Sequence, residues 1–168
     1  MSDGEFWKII DETCSDDLDE QLERLREALQ DLDPDQLVAF DEQMSQKVSA
    51  AYRWDIWGAA YLINGGCSDD GLEYFRRWLV SRGRKIYEGA LENPDSLATL
   101  RGLGEEDFLA EFEEFGYVVQ EVAEENPDLP RPWISVQLPD KPGGDKWDLD
   151  DDVQIRRRLP KLAARLIK

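Results

Sequence analysis

Ser15-Asp16-Asp17-Leu18-Asp19-Glu20-Gln21-Leu22-Glu23-Arg24-Leu25-Arg26-Glu27-Ala28-Leu29 sets leucines at 18, 22, 25 and 29. Steps of four, three and four gather onto one side only in an α-helix, so this stripe is a core face. Ser15 stands where a capping hydroxyl is wanted. Toward the N-terminus, Asp3 precedes Phe6, Trp7, Ile9 and Ile10, which share one side of a short helix ending near Thr13. Toward the C-terminus, Asp33-Pro34 with Gln36 is close to a capping box with proline in the first turn. Leu37, Phe40, Met44, Val48 and Ala51 continue the apolar face, and the pattern predicts a helix running on to Ile63.

Asn64-Gly65-Gly66-Cys67-Ser68-Asp69-Asp70-Gly71 then breaks the chain direction, with glycines suited to end one helix and Asp70, three before Glu73, suited to start the next. From Leu72 a helix carries Phe75, Trp78 and Leu79 inward, is weakened or bent at Gly83, and stops at Asn93-Pro94-Asp95. A further helix pair is predicted over Glu105 to Phe115 and Tyr117 to Glu125, divided at Gly116. Five prolines from Pro127 to Pro142 forbid continuous helix beyond Asn126, and 133–138 is the only plausible strand. The fold class is therefore mainly α: a compact multi-helix domain over 1–126, and a Pro/Asp-rich extended segment over 127–153, packed on it or acting as a linker. A basic amphipathic tail over 154–168, with a short terminal helix that has Pro160 in its first turn, completes it.

Composition narrows the chemistry. The 168 residues hold 41% hydrophobic side chains, enough for a sizeable core. With 20 basic and 38 acidic residues the net charge is −18, which argues against nucleic acid and anionic membrane as partners. Six of the basic residues, Arg156, Arg157, Arg158, Lys161, Arg165 and Lys168, lie in the tail, leaving 14 against 38, a net of −24, on residues 1–155. Such a tail either docks on its own acidic body or grips an acidic partner, nucleic acid or a lipid surface, the last two opposed by the body's charge. The absence of histidine excludes Ser-His-Asp and Cys-His catalysis and ordinary zinc sites. Cys14 and Cys67 form neither a metal knuckle nor a disulfide framework, and the acidic N-terminus is unlike a signal peptide. A cytoplasmic protein is expected, with homo-oligomerisation left open.

The opening Phe6-Trp7-Lys8-Ile9-Ile10-Asp11, the run from Trp57 to Asp70, and Tyr74 to Leu79 followed by Tyr87 and Pro94-Asp95-Ser96-Leu97-Ala98 resemble a bacterial family of domains of unknown function, number 4240. The resemblance covers about residues 5–125, and Asn-Gly-Gly-Cys-Ser-Asp-Asp is its most distinctive part. It implies a soluble bacterial helical domain and supplies no reaction, cofactor or catalytic residue.

Four readings of the Asn64–Asp70 turn stand side by side. In the structural one, the glycines turn the chain, Asp69 or Asp70 caps a helix and Cys67 fills a small space. In the second, a helix N-terminus with Arg76 and Arg77, and Arg82, Arg84 and Lys85 beyond, binds an anion among Asn64, Cys67 and Ser68. In the third, Asp69 and Asp70 with Asp55 or Glu73 hold Mg²⁺ or Ca²⁺. In the fourth, Cys67 is a reactive thiol. Trp54, Trp57 and Tyr61 form an aromatic stripe that is either core or a stacking surface. At the level of function the expectation is a non-enzymatic acidic interaction module that binds a protein partner. The alternative is a small-molecule or divalent-metal-dependent enzyme at this turn and the Arg76-Arg77 helix.

Overall fold

The computed structural model describes residues 1–126 and 139–167, so the strand expected at 133–138 lies outside the described residues. Mainly helical architecture is what the described residues form, with no strand among them. Helices α1 (Asp3–Thr13), α2 (Leu18–Gln30) and α3 (Pro34–Ala50) come first, then α4 (Trp54–Asn64), α5 (Asp69–Ser81) and α6 (Arg84–Glu92). A 3₁₀ helix, Pro94–Thr99, and a 3₁₀ turn, Glu114–Gly116, precede α7 (Val118–Glu124); α8 (Asp152–Arg158) and α9 (Pro160–Leu166) close the chain.

The start signals act largely as local chemistry dictates, with three corrections of position. Asp33 and Gln36 form a reciprocal capping box with Pro34 at the first helical position. At α1 the box belongs to Ser2 and Glu5, so Asp3 lies inside the first turn. At α2 the cap is Asp17, whose side chain accepts from Glu20 N at 3.0 Å, and Ser15 instead donates to Glu20 at 2.7 Å. At α5 the cap is Ser68, whose hydroxyl accepts from Gly71 N at 3.1 Å, leaving Asp69 and Asp70 exposed in the first turn.

Two larger expectations are overturned. The helix predicted from Pro34 to Ile63 is two helices, because Arg53 is extended (φ −141°, ψ 148°) and its neighbours pair with Gly143, far along the chain. Gly143 N donates to Tyr52 O at 2.8 Å, and Trp54 N donates to Gly143 O at 3.0 Å. The helix predicted over Glu105–Phe115 does not form: residues 105–113 are turns and irregular chain. There Phe112 N donates to Tyr74 O at 3.1 Å, and Asn64 holds both backbone groups of Ala110. The bend foreseen at Gly83 is a full break, with Gly83 in the left-handed region at φ +90°.

α5 runs through the middle of the domain with Leu72, Phe75, Trp78 and Leu79 buried, and packs on α1, α3, α4 and α6. Phe6 and Phe40 are fully buried with ring centroids 5.0 Å apart; each such ring stabilises the fold by roughly 2–3 kcal/mol. α7 lies on α2 and α3, and α9 lies on the Pro94–Thr99 helix and α4. The basic tail thus joins the body: Ile155, Leu159, Leu162 and Ala163 belong to the same core cluster. The N-terminus of α9 is held by Asp95, which is 3% exposed and accepts from Lys161 N at 3.0 Å and Leu162 N at 2.9 Å.

Candidate functional site

Two glycines shape the Asn64–Asp70 turn. Gly65 ends α4 at φ +68°, and Gly66 N donates to Tyr61 O at 2.8 Å, the six-to-one bond of a Schellman closure. Asn64 is directed across the turn, accepting from Ala110 N at 2.9 Å and donating to Ala110 O at 3.3 Å. That clamp brings Glu111 to the start of α5. A Cβ added at Gly71 would lie 3.3 Å from Ser68 Oγ, 3.4 Å from Glu111 Oε1 and 3.6 Å from Cys67 Sγ, so these three groups converge on one point. Glu111 carries no local signal in the sequence; the Asn64 clamp on Ala110 and the bond from Phe112 N to Tyr74 O place it here.

Electrostatics at this point oppose ionisation. Burial, with Glu111 and Asp69 adding negative field, pushes the Cys67 thiol up to about 12. Burial also raises Glu111. Both shifts disfavour the anionic forms that nucleophilic attack and metal ligation require. Among the described residues no group of three or more Cys, Asp or Glu is placed to hold a metal ion. Asp69 and Asp70 would by themselves leave most of the six to eight oxygens of Ca²⁺ to water.

The two arginines expected beside the turn are directed into the protein. Arg76, 5% exposed, donates to Val48 O at 2.9 Å and lies 4.5 Å above the Tyr52 ring, tying the end of α3 to α5. Arg77 pairs with Glu73, donates to Glu113 O at 2.8 Å and lies 5.0 Å from the Tyr117 ring. It also lies across Gly116, where a Cβ would come within 2.4 Å of the guanidinium.

Trp54 and Trp57 stack with centroids 4.9 Å apart and an 11° interplanar angle. The C-terminal segment flanks them: Lys146 is 5.3 Å from the Trp54 ring, Trp147 donates to Trp54 O at 3.3 Å, and Tyr61 donates to Asp150. Trp57 Nε1 donates to Cys67 O at 2.9 Å, joining this aromatic row to the turn. Trp147 is seated against Gly58, where a Cβ would meet Cζ2 at 2.1 Å.

A different region presents open concave surface. Between the loop before α2, the end of α5, α6 and the chain at 100–109 runs a groove of about 660 Å³, with Leu18, Trp78, Ile86, Leu100, Phe108 and Leu109 among its apolar lining. Asp16, Glu105 and Asp107 supply carboxylates, and Arg82 and Arg101 supply cations. Periodicity places Trp78 inward but gives no notice of this groove, because its far wall is the segment expected to be helical.

The model of a family described as "Protein of unknown function (DUF4240)" matches residues 1–125, the span that contains every candidate residue of the turn, the arginines and the aromatic row. No curated protein and no solved structure matches.

Proposed function

The chain belongs to the family of unknown function DUF4240, which names no reaction, so from its own residues we propose that it is a non-enzymatic acidic interaction module that binds a basic protein partner. One observation carries the reading: carboxylates outnumber basic side chains 38 to 20, and several of the body's cations are already paired or directed to backbone carbonyls. Lys47 pairs with Asp3, Arg53 with Asp55, Arg26 with Glu121 and Arg84 with Asp3 and Glu88. Arg76 and Arg82 are directed to backbone carbonyls. A net charge of −18 steers a basic protein toward the surface and raises its association rate.

The alternative, an enzyme at Asn64–Asp70 with Arg76 and Arg77, has weaker support, since both guanidiniums are occupied and Cys67 is held as a thiol. A bacterial cytoplasmic setting suits two free cysteines. No helix among the described residues is long and apolar enough to cross a membrane.

The test is reconstitution. Proteins retained from a lysate of the source cell at low salt are identified, purified singly and titrated against this protein. A one-to-one complex whose dissociation constant rises at least tenfold between about 0.05 and 0.3 M NaCl is expected. A complex insensitive to salt, or no complex from purified components, overturns the reading.

A further inference from the structure

We propose that the groove between the Cys14–Leu18 segment and the 100–109 segment docks a cationic amphipathic segment of the partner protein, an assignment that rests on the interaction-module reading. Its floor is aromatic and aliphatic. Trp78 and Phe108 meet edge to face at 6.3 Å, and Ile86 and Leu100 extend the apolar lining. Leu109 stands 56% exposed beside them, a large side chain held in water next to an apolar floor. A volume of about 660 Å³ accommodates several side chains of a docked segment.

Three carboxylates line the groove, Asp16 on one side and Glu105 and Asp107 on the other. Both sides belong to acidic stretches: residues Asp11 to Glu20 hold six acidic side chains and no base, and Glu105, Glu106 and Asp107 are consecutive. Of the two cations in the lining, Arg82 is committed to Ser15 O at 2.9 Å and to Gln21, and lies 5.9 Å from the Trp78 ring. Arg101 reaches Asp16 only at 3.9 Å with both side chains 93% exposed, a pair that an incoming lysine or arginine readily replaces. Carboxylates flanking an apolar floor match a segment with one apolar face and basic edges. An acidic segment meets repulsion there, and a neutral apolar one desolvates the carboxylates without pairing them.

The probe is an amphipathic helical peptide of about 18 residues made of Leu and Lys, titrated by fluorescence anisotropy against the whole chain and its variants. Leu109→Asp separates docking from diffuse attraction because the two predict opposite signs. An added negative charge tightens a merely electrostatic contact, whereas docking loses an apolar anchor and weakens by about tenfold. Phe108→Ala weakens binding in the same direction, and Arg101→Ala tightens it by about threefold by removing a competing cation. Circular dichroism melts close to that of the unaltered protein confirm that each variant folds. Binding unchanged or tightened by Leu109→Asp places the peptide elsewhere and overturns the groove while leaving the module reading in place. A peptide that does not bind the unaltered protein also overturns the groove. The module reading itself is decided by the reconstituted complex.

Discussion

Cys67 shows how a neighbourhood sets the chemistry of one side chain. Its thiol is half-buried beside Glu111 and Asp69, and its pKa rises from 9.0 to about 12. A raised folded-state pKa means that the fold holds the proton longer than the unfolded chain does. Its contribution to stability is complete below about pH 9 and is lost as pH climbs toward about 12. Cys14 and Tyr87 are raised by burial and act with the same sign. At the half-exposed Cys67 solvent reduces the slope below the ~1.4 kcal/mol per pH unit of a fully buried group. Urea midpoints are expected to hold steady from about pH 7 to 8.5 and to fall above it, with Cys67→Ala flattening the fall. Iodoacetamide is expected to leave Cys67 unmodified at neutral pH in the folded protein and to label it in denaturant; prompt labelling of the folded form would contradict the raised thiol. The site is partly legible in the sequence for a physical reason. Gly65-Gly66 act through local backbone geometry, which neighbours reveal, whereas the cap expected at Asp69 or Asp70 falls on Ser68. Glu111 reaches Cys67 through tertiary bonds on either side of it, Asn64 to Ala110 and Phe112 to Tyr74, and Arg76 finds Val48 O and Tyr52 only once α3 and α5 have packed.

Asp95 connects elements that lie far apart in the chain. It is 3% exposed and its carboxylate accepts from the backbone N–H groups of Lys161 and Leu162, the role a residue immediately before α9 would ordinarily fill. The local cap position is Leu159, which has no side-chain acceptor. Asp95→Ala leaves two N–H groups without their acceptor near the core and is expected to cost about 2–3 kcal/mol in urea unfolding. Hydrogen exchange should accelerate most in α9, and Asp95→Asn, which keeps one acceptor, should recover part of the loss. An alanine variant as stable as the parent would show that water caps α9 equally well. The same dependence on distant chain explains which elements the sequence revealed. The Asp33–Gln36 box and the Leu25 and Leu29 face announce themselves within a few residues. The break between α3 and α4 arises from pairing with Gly143, about ninety residues away, which no local pattern encodes. Residues 105–113 have a helical-looking composition, and tertiary bonds to Tyr74 and Asn64 override it.

At the scale of the whole molecule the dominant feature is like charge at close quarters. Residues 1–155 carry −24, and the six basic residues of the tail reduce the total only to −18. The self-repulsion of a compact body grows with the square of its net charge, so attraction of the tail to the body lessens the repulsion without reversing it. Two like charges about 20 Å apart in water interact by roughly 0.2 kcal/mol, a small figure repeated over many pairs. Unfolding separates these charges, and repulsion therefore favours the unfolded chain at low ionic strength. Salt shortens the screening distance from about 30 Å at 0.01 M to about 3 Å at 1 M, removing most of this penalty. Exposed pairs such as Arg24 with Glu20, 2.8 Å apart, are weakened by the same salt but contribute little each. The melting temperature is accordingly expected to rise by about 5 °C between 0.01 and 0.5 M NaCl, reaching most of that gain by the lower half of the range. Matching the result in NaCl with one in choline chloride at equal ionic strength separates screening from ion-specific exclusion. A melting temperature that falls with salt would mean that the ion pairs, including those of the basic tail, outweigh the repulsion. In that case favourable ion pairs would outweigh the repulsion of the remaining −18, and the field offered to a basic partner would be weaker than the net charge implies.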